Sequence, residues 1–235
     1  MMKIYIIILI TLILTGFAFA ETAYSAEQLL AIKATEDQIA QQEKEQFDAW
    51  KIKAEKGDLA ATFMVGIAYL YGQGTDVNLS EGDNLVRDAA DKGYPEAQNW
   101  LGDFYADFGT KEGYAKALEW WNKAAAQGEA HAQFSLGQCY EHGAIITQDY
   151  KTAVSYYRAS AEQGITDAMF ALSTCYLEGK GVKKDVKEAY FWMLVNFPDS
   201  WDEGYASIES IAEQLKPADI KKVRARAQKW LDKDS

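Results

Sequence analysis

Small and apolar residues recur along the chain at a spacing that predicts paired helices. One stretch runs from Ala132 to Tyr140, with Ala, Leu, Gly and Tyr at positions i, i+4, i+5 and i+8. This spacing places all four residues on one side of a helix. Matching sets begin at Ala61, Ala97 and Ala168, with neighbouring sets 35 or 36 residues apart, although valine replaces leucine in the first and serine replaces glycine in the last. Four phased copies predict a repeat array.

A second phased helical element alternates with these copies and ends at a glycine. Its small residues and the glycines behind them are Ala54, Ala90, Ala125, Ala161 and Gly57, Gly93, Gly128, Gly164. Glycine ends a helix readily because it adopts left-handed backbone angles. Inside a helix, however, glycine costs about 1 kcal/mol relative to alanine, so Gly102 and Gly137 predict close contact with a paired helix. Such helix pairs bury their apolar faces by stacking on one another.

These columns resemble the Sel-1-like repeat family, which is related to the tetratricopeptide repeat. The third unit matches at Ala132, Leu136, Gly137, Tyr140, Gly143, Asp149, Ala153, Ala161, Gln163 and Gly164, and the fourth continues through Gly181, Val182, Asp185, Ala189 and Trp192. The second unit has a shorter segment between its helices, and the first has Gly82 where the family has alanine. The resemblance covers residues 47–197. It implies an all-α, right-handed solenoid of about four repeats that binds a partner, and it supplies no catalytic residues.

The two ends of the chain differ from the repeats. Residues 1–20 combine Lys3, an apolar run from Ile4 to Leu14 and a small-residue site before Glu21. This pattern is typical of a cleavable secretory signal peptide and predicts a periplasmic protein, with a retained N-terminal anchor as the alternative. The run is shorter than the ~20 residues that span a membrane. We divide the rest into an N-terminal helical cap at 21–56, the repeats at 57–197 and a C-terminal helical cap at 198–235.

Helix boundaries within the two caps can also be predicted. A capping box at Ser25 to Gln28 starts one polar helix, and a second helix is expected from Lys44 to Lys56. Phe47 and Trp50 on this second helix would cover the first repeat. At the other end, helices are expected from Ile208 to Leu215 and from Pro217 to Leu231, with Trp201 and Tyr205 folding back on the last repeat.

The net charge of −11 changes which partners are plausible. Binding to nucleic acid requires neutralised phosphates, so an acidic chain argues against that class and against adhesion to anionic lipid. The charge is compatible with a basic protein partner, but it favours a merely solvated acidic surface over a specific partner of that kind. Residues 216–235 are locally basic, with seven Lys or Arg against three Asp.

Few residues suit catalysis, metal binding or cofactor binding. The chain has two histidines, His131 and His142, and two cysteines, Cys139 and Cys175, which share a column in adjacent repeats. Neighbouring helix axes lie ~8–10 Å apart, whereas a disulfide requires Cα atoms within ~7 Å, so two buried free thiols are expected. We predict no catalytic site, no metal and no cofactor. The Gly-x-Gly segments at Gly72 and Gly179 are predicted turns, because a phosphate loop would need a preceding strand.

The resemblance places the binding surface on the first helix of each repeat, along the inner curve. The candidate partner-binding residues are Phe63, Ile67, Leu70, Asn99, Asp103, His131, Phe134, Gln138, Glu141, Phe170 and Leu177. Exposed apolar residues rimmed by polar ones mark interaction sites. The alternative is that curvature partly buries the three phenylalanines. The aromatic column of Trp120, Tyr156 and Trp192 on the second helices is expected to be core.

We therefore expect a monomeric periplasmic protein that binds a partner protein on its concave groove as an adaptor or regulator, without catalysis. One alternative is an immunity protein that occludes a secreted toxic effector, such as a type VI secretion phospholipase. A second alternative is a cell-wall hydrolase, which the lack of a recognisable site disfavours.

Overall fold

A computed structural model describes residues 26–143, 145–198 and 206–233, which form eleven α-helices and no strand. The helices are α1 (Ala26–Ala54), α2 (Leu59–Tyr71), α3 (Leu79–Asp91), α4 (Pro95–Ala106), α5 (Lys111–Ala126), α6 (Ala130–His142), α7 (Tyr150–Ala161), α8 (Thr166–Glu178), α9 (Val186–Asn196), α10 (Ala206–Ala212) and α11 (Pro217–Leu231). Helices α2, α4, α6 and α8 are the first helices of four hairpins, and α3, α5, α7 and α9 are the second helices. The predicted all-α repeat solenoid is confirmed.

The phased glycines lie where the two helices of a hairpin meet. A Cβ atom added to Gly102 would stand 2.4 Å from the Trp121 ring, and one added to Gly137 would stand 2.6 Å from the Tyr157 ring. Both distances are far below an ordinary carbon contact of about 3.5 Å. In the fourth hairpin Ser173 takes this position and donates its hydroxyl to the carbonyl of Ala189 at 2.9 Å. The glycine column is therefore a contact surface, as the sequence predicts.

The two Gly-x-Gly segments are turns, as predicted. Gly72 and Gly179 end α2 and α8 in the left-handed conformation, with φ of 69° and 76°. The second glycine of each pair touches the backbone of an earlier helix. A Cβ at Gly181 would lie 2.1 Å from the carbonyl oxygen of Tyr150 at the start of α7. A Cβ at Gly74 would lie 2.2 Å from that of Glu43, so the later part of α1 occupies the place of a second helix.

The N-terminal cap is one helix, and the prediction of a separate helix beginning at Lys44 is wrong. The chain has neither glycine nor proline between Ala26 and Ala54, so nothing breaks the helix. The later part of α1 covers the first repeat as expected, because Phe47 is buried and packs edge-on against Tyr69 with ring centroids 5.3 Å apart. Ser25, predicted to cap this helix, lies outside the described residues.

Side-chain hydrogen bonds connect the repeats in register. Two of the column tyrosines accept a hydrogen bond from a guanidinium on the second helix of the preceding repeat: Arg87 donates to Tyr105 at 2.9 Å and Arg158 to Tyr176 at 2.7 Å. Within a repeat, the glutamine before the final glycine reaches the first helix, as when Gln163 donates to Gln133 at 2.9 Å. These polar contacts hold adjacent hairpins at a fixed offset.

The last repeat is covered by α10 and α11. Residues Ala189 to Val195 of α9 are all buried, and Ile208, Ile211, Val223 and Ala227 are buried against the same cluster. Helix α11 begins with Pro217 as predicted, whereas α10 begins and ends earlier than expected. The predicted contacts of Trp201 and Tyr205, and the predicted signal peptide at 1–20, lie outside the described residues. In the part of the chain that the structure describes, no helix has the length and apolar character needed to cross a membrane.

Candidate functional site

The candidate surface is the side of α2, α4, α6 and α8 that carries the eleven predicted partner-binding residues; we call it the first-helix face. Helices α4 and α6 approach each other along it, since the charges of Glu129 and His131 at the start of α6 act on Asp103 of α4. Asp103, His131, Gln138 and Phe170 are exposed, and the other seven predicted residues are partly buried. The structure thus brings the predicted residues to one side of the first helices with very different accessibility.

The three phenylalanines of this face differ in how much of their surface is exposed to solvent. Phe170 has 51% of its surface exposed. Phe134 is partly buried and packs on Tyr157 with ring centroids 5.7 Å apart, and Phe63 packs on Tyr94 at the same distance. Packing on these tyrosines accompanies the partial burial of Phe63 and Phe134, whereas Phe170 remains exposed. Ile67 and Leu70 are partly buried against the same core cluster as Phe63, and Leu177 against the same cluster as Phe134.

Two acidic residues of the face also hold the hairpins together, a role that the sequence did not reveal. Asp103 accepts a hydrogen bond from the indole nitrogen of Trp121 at 2.9 Å, and Glu141 accepts one from the hydroxyl of Tyr157 at 2.5 Å. Both aromatic rings lie directly over the glycines of the first helices. Each carboxylate thus fixes the ring that fills the space beside a glycine. An acid on the first helix and an aromatic residue 16 or 18 positions later is the sequence signal for this arrangement.

The surroundings of Asp103 favour its neutral form. Desolvation between the helices raises the pKa of its carboxyl group, and the negative charge of Glu129 adds to this effect. Hydrogen bonds from Trp121 and from the amide of Asn99, at 3.2 Å, act in the opposite direction. Asp103 is nevertheless exposed to solvent. A carboxylate in such a position gains from a nearby positive charge.

The first helices carry no lysine or arginine. Their acidic residues are Glu96, Asp103, Glu141, Asp167 and Glu178. The second helices, of nearly the same total length, carry seven basic and seven acidic residues. The overall charge of the chain is evident from its composition, but the division of charge between first and second helices depends on where the helices begin and end.

The two cysteines lie within helices α6 and α8. Cys139 is partly buried, Cys175 is buried and both thiols are free, so the prediction of two free thiols is confirmed while Cys139 is less buried than expected. Burial raises the pKa of each thiol to about 11. Among the described residues, no group of three or more His, Cys, Asp or Glu side chains is placed to hold a metal ion.

The aromatic column on the second helices contributes to the core. Trp192 is buried, whereas Trp120 and Tyr156 are partly buried against neighbouring core clusters. Tyr156 stacks on Tyr140 with ring centroids 5.8 Å apart. This agrees with the expected packing role.

A concave surface lies between the turn after α8 and the C-terminal helices. This open cleft of about 730 Å³ is lined by Lys183, Lys184, Lys187 and Lys216, together with Asp185 and Asp219. Lys187 and Asp219 form an ion pair at 2.9 Å within it. The sequence indicated a basic C-terminal region but not this cleft.

Comparisons with known proteins agree with the repeat architecture. A family model described as Sel1 repeat matches residues 59–94, 95–129, 130–165 and 166–194. The fold is similar to a protective antigen of uropathogenic Escherichia coli strains displaying an SLR fold, with 27% identity, a TM-score of 0.67 and coverage of 79% of this chain and 40% of that one. It is also similar to a Sel1 repeat protein from Oxalobacter formigenes, with 27% identity, a TM-score of 0.62 and 79% of each chain covered.

A curated relative adds little on activity. An uncharacterized protein of Neisseria meningitidis serogroup B is 28% identical over 102 residues, which cover 43% of this chain and 21% of that protein. The chain thus spans about a fifth of the length of that relative and two fifths of the E. coli antigen.

Proposed function

The chain belongs to the Sel1 repeat family, and we propose that it binds a partner protein on its first-helix face as an adaptor or regulator. Members of this family are generally non-catalytic scaffolds for protein interaction. The observation that supports this surface most is the exposure of Phe170 beside partly buried apolar side chains. A large apolar residue rimmed by polar ones is the usual anchor of a protein interface.

We also propose that the protein acts in the periplasm. The support is the signal-peptide pattern of residues 1–20, and cell fractionation together with N-terminal sequencing of the mature protein tests it. A mature chain that begins near Glu21 in the periplasmic fraction supports the proposal. Retention of residues 1–20 in a membrane fraction supports an N-terminal anchor instead.

Affinity capture from a periplasmic extract tests partner binding. The variant Phe170→Ala/Leu177→Ala removes apolar side chains from α8, and Leu79→Ala is a matched control because Leu79 is 65% exposed at the start of a second helix. Since truncation of an interface anchor weakens binding about tenfold or more, the first variant should lose the captured partner and the control should retain it. Equal capture by both variants would exclude the first-helix face.

The identity of the captured protein separates the narrower roles. If the captured protein is a toxic effector and its activity falls when this chain is added, the chain acts as an immunity protein. Hydrolysis of cell-wall sugar or peptide that a single carboxylate substitution abolishes would contradict the non-catalytic proposal.

A further inference from the structure

The distribution of charge over the two sets of helices points to the chemistry of the partner. We infer that the first-helix face takes up a segment of a partner protein that carries lysine or arginine together with apolar residues. This inference rests on the proposed function and adds the class of partner to it.

Charge complementarity is the first argument. The first helices have a formal charge of −5 because they carry five acidic residues and no basic one. The second helices, with seven of each sign, sum to zero. The N-caps Asp58 and Glu129 add negative charge at the ends of two first helices. Lys180, in the turn after α8, is already ion-paired with Glu178.

The arrangement on α8 supplies the second argument. Asp167 and Phe170 lie one helical turn apart and both are exposed, so a carboxylate stands beside an apolar ring. The side chains of lysine and arginine have apolar stems and charged heads. Their stems can cover the ring while their heads meet the carboxylate, and a cation over the ring face gains further attraction.

The environment of Asp103 agrees with a cationic occupant. Its carboxyl group is surrounded by protein and by the like charge of Glu129, which raises its pKa. A guanidinium or ammonium group placed against it would reverse that effect. The Asp103 carboxylate should therefore favour a hydrogen-bond donor that carries a positive charge.

Peptide binding provides the test. The probe is a fluorescent 14-residue peptide of Lys, Arg, Leu and Ala, and its control has Glu in place of every Lys and Arg; anisotropy reports binding. The basic peptide should bind and the acidic one should not. Affinity should fall steeply as salt is added, because exposed charges are screened beyond about 10 Å at 0.1 M ionic strength.

Matched neutralising variants locate the binding. Glu96→Gln/Asp167→Asn removes two charges from the first-helix face, and Glu81→Gln/Glu112→Gln removes one charge each from α3 and α5, so both variants have the same net charge. All four residues are exposed and lie in the first turn of their helices, so stability should be equally affected. We expect a loss of about tenfold for the first pair and less than about twofold for the second.

Three outcomes would overturn the inference: equal losses in both variants, equal binding of both peptides, or self-association of the chain that Lys221→Glu/Lys222→Glu in α11 abolishes. The last would make a second copy the occupant. If the captured partner is lost with Phe170→Ala/Leu177→Ala but neither salt nor charge removal matters, this inference fails and the proposed function stands. If that variant still captures the partner, the proposed function itself fails.

Discussion

Replacement of Gly137 by alanine tests how closely the two helices of a hairpin approach. The added Cβ would stand 2.6 Å from both Cδ1 and Cε1 of Tyr157. Carbon atoms pack best at about 3.5–4.0 Å, so the ring must move by roughly 1 Å. The ring is 1% exposed, so it has no free space to enter. The helices themselves must therefore separate.

The expected change in the free energy of unfolding combines three contributions. Overpacking of a filled core costs about 1–3 kcal/mol. Displacement of Tyr157 also stretches its 2.5 Å hydrogen bond to Glu141, at a cost of about 1 kcal/mol. Alanine is a better helix former than glycine by about 1 kcal/mol, which offsets that loss. We expect Gly137→Ala to lower the free energy of unfolding by about 1–3 kcal/mol.

Urea unfolding followed by far-ultraviolet circular dichroism measures this change, and a double-mutant cycle isolates its cause. In a Tyr157→Ala background the added methyl meets no ring, so the same alanine should stabilise the protein by about 1 kcal/mol. Gln138→Ala, at the adjacent exposed position, should change stability by less than about 0.5 kcal/mol. If Gly137→Ala stabilises the protein in the presence of Tyr157, the reasoning about the glycine column is refuted.

Three further predictions concern other groups. Because burial raises the pKa of Cys139 and Cys175 to about 11, iodoacetamide at pH 8 should label the native protein slowly and should find two thiols after denaturation without reductant; rapid native labelling would contradict their burial. Asp103→Ala should lower the free energy of unfolding by about 1–2 kcal/mol, since Trp121 loses its acceptor, whereas the asparagine variant should cost less. Hydrogen bonds lower the pKa of the Asp149 carboxyl below 3.8, so the stability difference between wild type and Asp149→Ala should be fully present well above that pH and should close as the pH falls from 3.8 through the lower native value.

The repeat fold could be predicted because its constraints are local and periodic. Glycine at Gly102 and Gly137 recurs in phase with alanine, leucine and tyrosine, and this alone indicates where two helices must touch. The predicted boundary at Lys44 is wrong because no glycine or proline interrupts the helix there. The later part of α1 packs against the first repeat, where Gly74 lies close to the backbone of Glu43, but it is continuous with the earlier part of the same helix.

The candidate site could be predicted only in outline. The positions on the first helices followed from the resemblance, but their exposure depends on which neighbouring ring reaches them. Phe134 and Phe170 look alike in sequence, and the difference is that Tyr157 packs on the first. Because Phe134 and Asp103 also contact the aromatic rings of their hairpins, alanine at either predicted binding residue would disturb the hairpins, so Phe170 is the better probe.

Hydrogen exchange of the chain with and without its captured partner tests the central claim most directly. Backbone amides that a partner covers exchange more slowly, and the affected helices can be assigned by mass spectrometry. Binding should protect α4, α6 and α8 and leave α5 and α7 unchanged. Protection confined to the second helices, or to the cleft lined by Lys183, Lys184 and Lys216, would contradict the account.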